Sequence, residues 1–213
     1  GVQTCALPIS AVKIADLQRI TSIARQNHVL TVIDNTLAGV HNHGQFDVDV
    51  FVHSLTKYAA GHGDVLGGAI IASHELIEAM RADATLLGPA LDPHAAFLIL
   101  RGLKTYVVRW QAQCSNAQRV AEFLQSHPAV ERVSYPGLPG DPGHALAVAQ
   151  MDGFGAVVSF DLRAGTEAGS RFADALELFS ITASLGSTDS LVVAPAMQAP
   201  RGLTEQQRAW SAI

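Results

Sequence analysis

Val32-Ile33-Asp34-Asn35-Thr36, followed by Val52-His53-Ser54-Leu55-Thr56-Lys57-Tyr58-Ala59-Ala60-Gly61-His62-Gly63-Asp64-Val65-Leu66-Gly67-Gly68, is the stretch from which the rest of the chain is read. A short apolar run, Val29 to Ile33, reads as a buried strand, and a second run, Val48 to His53, is the next strand candidate. The first ends in Asp34 and the second in Ser54, Leu55, Thr56 and Lys57. In open α/β sheets, ligands sit beyond the carboxyl ends of the strands. Both polar clusters fall at such ends. A polar, glycine-containing loop runs from Ser54 to Asp64, and Val65 to Ala72, carrying Gly67-Gly68, reads as a third strand.

Moving outward, Leu17, Ile20, Ile23 and Ala24 recur at helical spacing and predict a helix from Ala15 to Asn27. A short helix is expected from His74 to Met80, with Ser73 as its cap. Asp92 and Pro93 open a long helix that runs to about Phe123 or Leu124, with a bend at Gly102 and a stop at His127-Pro128. Beyond it, Val130 to Tyr135 reads as a strand, and Pro136 to Pro142 as a turn. A helix is expected from His144 to Gln150, an alternating strand from Ala156 to Leu162 and a helix from Thr166 to Leu178. Ile181 and Leu191 to Val193 fall in short strands. Helices and strands alternate throughout, so the class is α/β or α+β. A change of composition near Cys114 predicts a domain boundary inside the long helix, dividing residues 10–112 from 113–213.

Composition limits the possible functions. The 213 residues carry a net charge of −5, with 48% hydrophobic and 15% charged residues. That suits a globular domain and not a disordered one. No basic stripe is present, so nucleic acid is not an expected partner. No apolar run approaches the roughly 20 residues of a membrane span, so no membrane partner is expected. No signal peptide is visible at the start. Cys5 and Cys114 make no disulfide framework, which fits a reducing, cytoplasmic setting. Residues 1–9, Gly1-Val2-Gln3-Thr4-Cys5-Ala6-Leu7-Pro8-Ile9, read as a translated sequencing adapter and stand outside the fold reasoning.

The residue types around the strand ends suggest a particular chemistry. A lysine amine forms a Schiff base with an aldehyde when its proton is labile. A carboxylate beside a pyridine nitrogen keeps that nitrogen protonated, so the ring draws electrons and steadies a carbanion. Hydroxyls and glycine-freed backbone N–H groups suit a phosphate. Lys57, Asp34, Ser54 and Thr56 are those types in a workable order. Residue types and spacing alone leave a solvated Lys57 open, and leave Asp34 as the cap of a turn at Asn35.

The quoted stretch closely resembles the trans-sulfuration (Cys/Met metabolism) family of pyridoxal-phosphate-dependent enzymes, which have fold type I. Leu100-Arg101-Gly102-Leu103-Lys104-Thr105, Asn116-Ala117, Ala121-Glu122-Phe123-Leu124, Tyr135-Pro136-Gly137-Leu138 and Ser184-Leu185-Gly186 with Ser190-Leu191 extend the resemblance downstream. It implies an aspartate-aminotransferase-like fold, with the end of the large cofactor domain followed by most of the small one. It implies pyridoxal 5'-phosphate as cofactor, held covalently by Lys57, paired at its pyridine nitrogen by Asp34 and bound at its phosphate by Ser54 and Thr56. Ser184 would lie near the substrate carboxylate. The implied activity is a carbon–sulfur lyase acting on a small sulfur amino acid, of the cystathionine γ- or β-lyase or methionine γ-lyase type. Two alternatives accompany it: γ-replacement, as in cystathionine γ-synthase or O-acetylhomoserine sulfhydrylase, and a catalytically incompetent piece that only packs against a partner. The implied assembly is a homotetramer of active-site-sharing dimers. The resemblance further implies a missing N-terminal half and an arginine, just past Ile213, for the substrate carboxylate.

Two segments depart from the family pattern. The segment between Thr36 and His53, which opens with Leu37 to His43, is shorter than usual, and Pro195-Ala196-Met197-Gln198-Ala199-Pro200 replaces a stretch that usually holds a hydroxyl residue and a histidine. Simpler roles are expected elsewhere. His41, His43, His53 and His62 lack the carboxylate or cysteine partners of a usual metal site. Arg101 and Lys104 are expected in ion pairs, and Cys114 as a small buried hydrophobe.

Overall fold

The computed structural model describes residues 12–42 and 46–194. The apolar run after α1 (Leu17–Gln26) becomes β1 (Val32–Asp34), and the next becomes β2 (Val50–Ser54). β1 and β2 run parallel with Asp34 opposite Val52, and β3 (Gly68–Ala72) is antiparallel to β2 with Gly68 opposite Ser54. β2 is the buried strand of the sheet, with Val50, Phe51 and His53 buried, whereas the run expected to be buried is the one that forms β1. β1 is exposed, and Val32 keeps 65% of its surface. The order β1-β2-β3 puts β1 at an edge, so the described residues cover it on one side only.

Helix α2 (His74–Leu87) runs well past the expected end at Met80. It starts at Ser73, whose side chain accepts from Leu76 N, and stops at Gly88, whose φ of +78° closes it as a left-handed cap. The expected single long helix is two. α3 (Pro93–Leu103) starts where Asp92 accepts from His94 N and Ala95 N, and α4 spans Tyr106–Ser126. The break has a packing cause. A side chain at Gly102 would press on the backbone of Ala60, with its Cβ 2.7 Å from the Ala60 Cα, so α3 lies directly on the loop after β2. The chain then turns, and Thr105 Oγ1 donates to Gly102 O at 3.2 Å.

α4 connects two parts of the core. Its buried Tyr106, Trp110, Ala117 and Ala121 lie on one face, at spacings that follow the helical repeat. Tyr106 and Trp110 pack with Tyr58 from the sheet side. Ala117 and Ala121 pack with Tyr135 and Leu138 further along. Residues 112 and 113, the expected domain boundary, lie in mid-helix between these clusters. Beyond α4, β4 (Val130–Ser134) pairs antiparallel with β5 (Ser159–Leu162), flanked by α5 (His144–Gln150) and α6 (Gly165–Asp174). β6 (Ser180–Ile181) pairs parallel with β7 (Leu191–Val192). β5 is shorter than the predicted strand because Ala156 and Val158 instead pack against the α4 cluster. Among the described residues, no helix is long and apolar enough to cross a membrane.

Candidate active site

Strand pairing puts Asp34 and Ser54 on one face. Parallel register sets Asp34 beside Val52, and Ser54 lies two residues further along, so all three share a side of the sheet. Thr36 links the two strand ends. Its hydroxyl donates to Asp34 Oδ1 at 2.6 Å and accepts from Ser54 N at 2.8 Å. Thr36 N also donates to Asp34 Oδ1, at 3.0 Å. Asp34 therefore does cap a turn, as the simpler reading allows. Both bonds fall on Oδ1, and the carboxylate stays exposed at the strand end.

Lys57 follows in a tight turn, with Lys57 N donating to Ser54 O at 3.2 Å and Gly61 N to Lys57 O at 2.8 Å. Its amine reaches across the chain to donate to Ser184 Oγ at 3.1 Å. Two predicted site residues that are far apart in sequence thus meet directly. Thr56 faces the β3 side, where its hydroxyl accepts from Gly67 N at 3.0 Å. Gly67 O is 3.5 Å from the same oxygen, too long for a strong bond, so the hydroxyl proton can turn to another acceptor. Ser54 is half-buried at the end of β2.

The Lys57 turn is held from behind by a residue that sequence reading missed. Arg109 donates to Tyr58 O (2.9 Å), Ala59 O (3.2 Å) and Gly102 O (2.9 Å), and its Nε donates to Thr105 Oγ1 (3.1 Å). All four acceptors are neutral. Burial pushes the guanidinium down from its ordinary value, and the oxygens offset that cost. Tyr58 is buried edge-on against Trp110, with ring centres 4.9 Å apart. Burial pushes its phenol up to about 12, so the neutral oxygen accepts from Ala156 N at 3.3 Å. Gly186 must be glycine: its φ is +77°, and a Cβ there would be 2.6 Å from Tyr58 N. The loop carrying Ser184 thereby lies flat on the turn carrying Lys57.

His41 lies in a turn and bonds through Nδ1 to Tyr106 OH at 2.6 Å, and His62 Nδ1 lies 2.7 Å from Ala60 O. Among the described residues no cluster of His, Cys, Asp or Glu could hold a metal. His43, residues 1–9 and the stretch from Pro195 lie outside the described residues. Among the described residues neither Arg101 nor Lys104 forms an ion pair, contrary to expectation; both are exposed. Cys114 is half-buried beside the Tyr58 cluster, and burial pushes its thiol up. A shallow depression lined by Phe46, Val48, Asp49, Phe51, Ile71, Ala72 and Ser73 lies at the opposite end of the sheet. Its one charged group, Asp49, is engaged by Thr31, so it offers no chemistry to compare with the strand-end cluster.

The donor set suits pyridoxal phosphate in type: an amine for the aldehyde, an exposed carboxylate for the pyridinium, and hydroxyls for the phosphate. Known proteins agree. The family model described as Cys/Met metabolism PLP-dependent enzyme matches residues 5–213. An L-methionine gamma-lyase of Fusobacterium nucleatum subsp. polymorphum is 41% identical over 201 residues, covering 92% of this chain and 51% of that protein. Cystathionine gamma-synthase 1, chloroplastic, of Arabidopsis thaliana is 42% identical over 195 residues, covering 91% of this chain and 35% of that protein. The crystal structure of cystathionine gamma synthase from Xanthomonas oryzae pv. oryzae in complex with aminoacrylate and cysteine superposes with a TM-score of 0.89 at 40% identity, over 94% of this chain and 53% of that one. The chain spans about half the length of the curated relatives it matches. The shared fold, and a family match running almost from end to end, establish that this chain belongs to the Cys/Met metabolism family of pyridoxal-phosphate-dependent enzymes.

Proposed function

We propose that this chain supplies the lysine side of the active site in a carbon–sulfur lyase acting on sulfur amino acids. The single observation that carries the reading is the bond from Lys57 Nζ to Ser184 Oγ, made at the end of the parallel strand pair whose other end-residue is Asp34. The methionine gamma-lyase relatives favour elimination over other chemistry. Pyridoxal phosphate, when bound, supplies an electron-withdrawing ring that steadies negative charge at the substrate's α-carbon.

The chain's own residues do the rest. Lys57 would hold the cofactor through its aldehyde carbon, and its amine, when free, would move protons to and from the substrate's α-carbon. Asp34 would keep a proton on the pyridine nitrogen, and the Thr36 bonds to Oδ1 fix the carboxylate's direction. Ser54 and Thr56 would hold the phosphate. Ser184 receives the Lys57 amine and would lie beside the substrate carboxylate. The group released would be a thiol, from the β- or γ-carbon. We place residues 10–112 in the cofactor domain and 113–213 in the small domain. The assembly is a homotetramer of active-site-sharing dimers working in the cytoplasm.

Replacement at the γ-carbon is the second reading, favoured by cystathionine gamma-synthase relatives of equal identity. Adding pyridoxal phosphate to the purified chain is expected to give a visible absorption band that borohydride bleaches, leaving the cofactor fixed on Lys57, and that is lost in Lys57→Ala. A band that persists in that variant overturns the assignment. Cystathionine and methionine against O-acetylhomoserine plus sulfide, assayed with the whole protein, then separate elimination from replacement.

A further inference from the structure

The amine of Lys57 and the hydroxyl of Ser184 meet although 127 residues separate them. Something must hold both turns at a fixed spacing, because a lysine side chain alone is flexible and costly to immobilise. One face of α4 touches both. Arg109 grips the carbonyls of Tyr58 and Ala59, the residues directly after Lys57. One helical turn later, Gln113 Nε2 donates to Ser187 O at 2.7 Å, three residues after Ser184. Residues four apart on a helix lie side by side on one face. The two turns also touch each other, through Thr188 N donating to Gly61 O at 3.0 Å. Gly61 leaves room for the guanidinium: a Cβ there would lie 2.7 Å from Arg109 Nη2.

We infer that Arg109 and Gln113 act together as positioning residues, with α4 as the gauge that sets Lys57 against Ser184. Neither needs to touch a ligand. The planar fork of Arg109 holds carbonyls from α3 and the Lys57 turn at once, since Gly102 O is also bound. Lysine, with a single point donor, cannot span them. The Gln113 amide oxygen is buried without a protein partner among the described residues. Burying such an oxygen is unfavourable, so the residue's contribution is its bond to the Ser184 loop rather than its own burial.

The inference builds on the proposed role of Lys57, yet its test needs no cofactor. Trace acetylation of the purified cofactor-free chain reads the reactivity of Lys57, with the exposed Lys13 as internal reference. Arg109→Lys and Gln113→Ala are each expected to raise the Lys57-to-Lys13 labelling ratio about threefold or more, by releasing the amine from Ser184. Ser184→Ala is expected to do the same. Combined with Ser184→Ala, the α4 substitutions are expected to add nothing, because the contact they maintain is already gone. Thermal stability, followed in parallel, reports the purely structural loss, which does add. Unchanged labelling in both α4 variants overturns the inference, as does labelling that adds in the double variants. If wild-type chain failed to trap the cofactor on Lys57, the proposed function would fall while this labelling result stood on its own.

Discussion

Asp49 fixes the end of the parallel strand pair away from the active site. Its Oδ2 accepts from Thr31 N and Thr31 Oγ1, each at 2.7 Å, and Asp49 N donates back to Thr31 Oγ1 at 2.9 Å. The two Thr31 bonds hold its carboxyl below the ordinary 3.8. A carboxylate with a lowered folded value adds stability above the unfolded value and loses it as pH falls through the folded one. Asp49→Ala is therefore expected to cost about 1–3 kcal/mol at neutral pH, and the gap from wild type should narrow steadily below pH 3.8. Urea melts at neutral pH and near pH 2.5 check it; a gap of constant size would mean that the charge contributes nothing. At this scale the sequence offered candidates for the site and was silent about the residues that position them. Lys57, Asp34 and Ser184 could be named from a resemblance to residues that do chemistry. Thr36 stood in the same quoted stretch, but no local pattern says that its hydroxyl bridges two strand ends. Arg109 and Gln113 carry no signal at all, because the bonds by which they reach the two turns go to backbone carbonyls fifty or more residues away.

Among the elements, two short helices were read well, whereas α2 overran its expected end at Met80. α5 was legible to the residue, and α1 to within two residues at its start and one at its end. The α3–α4 break was read only as a bend at Gly102, because its cause is the Ala60 backbone lying against that glycine, which no window of sequence contains. β1 was taken as buried from its apolar residues, but burial depends on neighbouring strands that periodicity cannot count. The caps allow a direct comparison. Asp92 accepts two backbone bonds at 2.9 and 3.0 Å, whereas Ser73 accepts one at 3.4 Å. Asp92→Ala should lower stability by about 1 kcal/mol and Ser73→Ala by clearly less. Equal losses in paired denaturant titrations would mean that cap geometry does not set the difference.

Taken whole, the chain exposes much apolar surface. Leu66, Leu86, Leu87 and Leu178 each keep more than four-fifths of their surface, and Phe97, Leu100, Val107 and Val108 each more than half. Single exposed side chains are ordinary, but contiguous apolar patches on a folded domain bind other apolar surfaces. The purified chain is expected to bind a hydrophobic dye under native conditions and to associate as concentration rises. Sedimentation velocity with parallel dye titration checks this, and a dye-silent monomer across the whole range would contradict it.

The meeting of Lys57 and Ser184 also has a consequence in time. Contacts between distant parts of a sequence form late, since the loop between them must be closed before the contact gives anything back. On the ribosome the amine emerges long before the hydroxyl that receives it, and until then it is an unguarded nucleophile among metabolites. With Lys57 in the proposed role, competence to capture an aldehyde in the proper geometry would ripen only once this late contact has formed, and cofactor uptake would time that step of maturation.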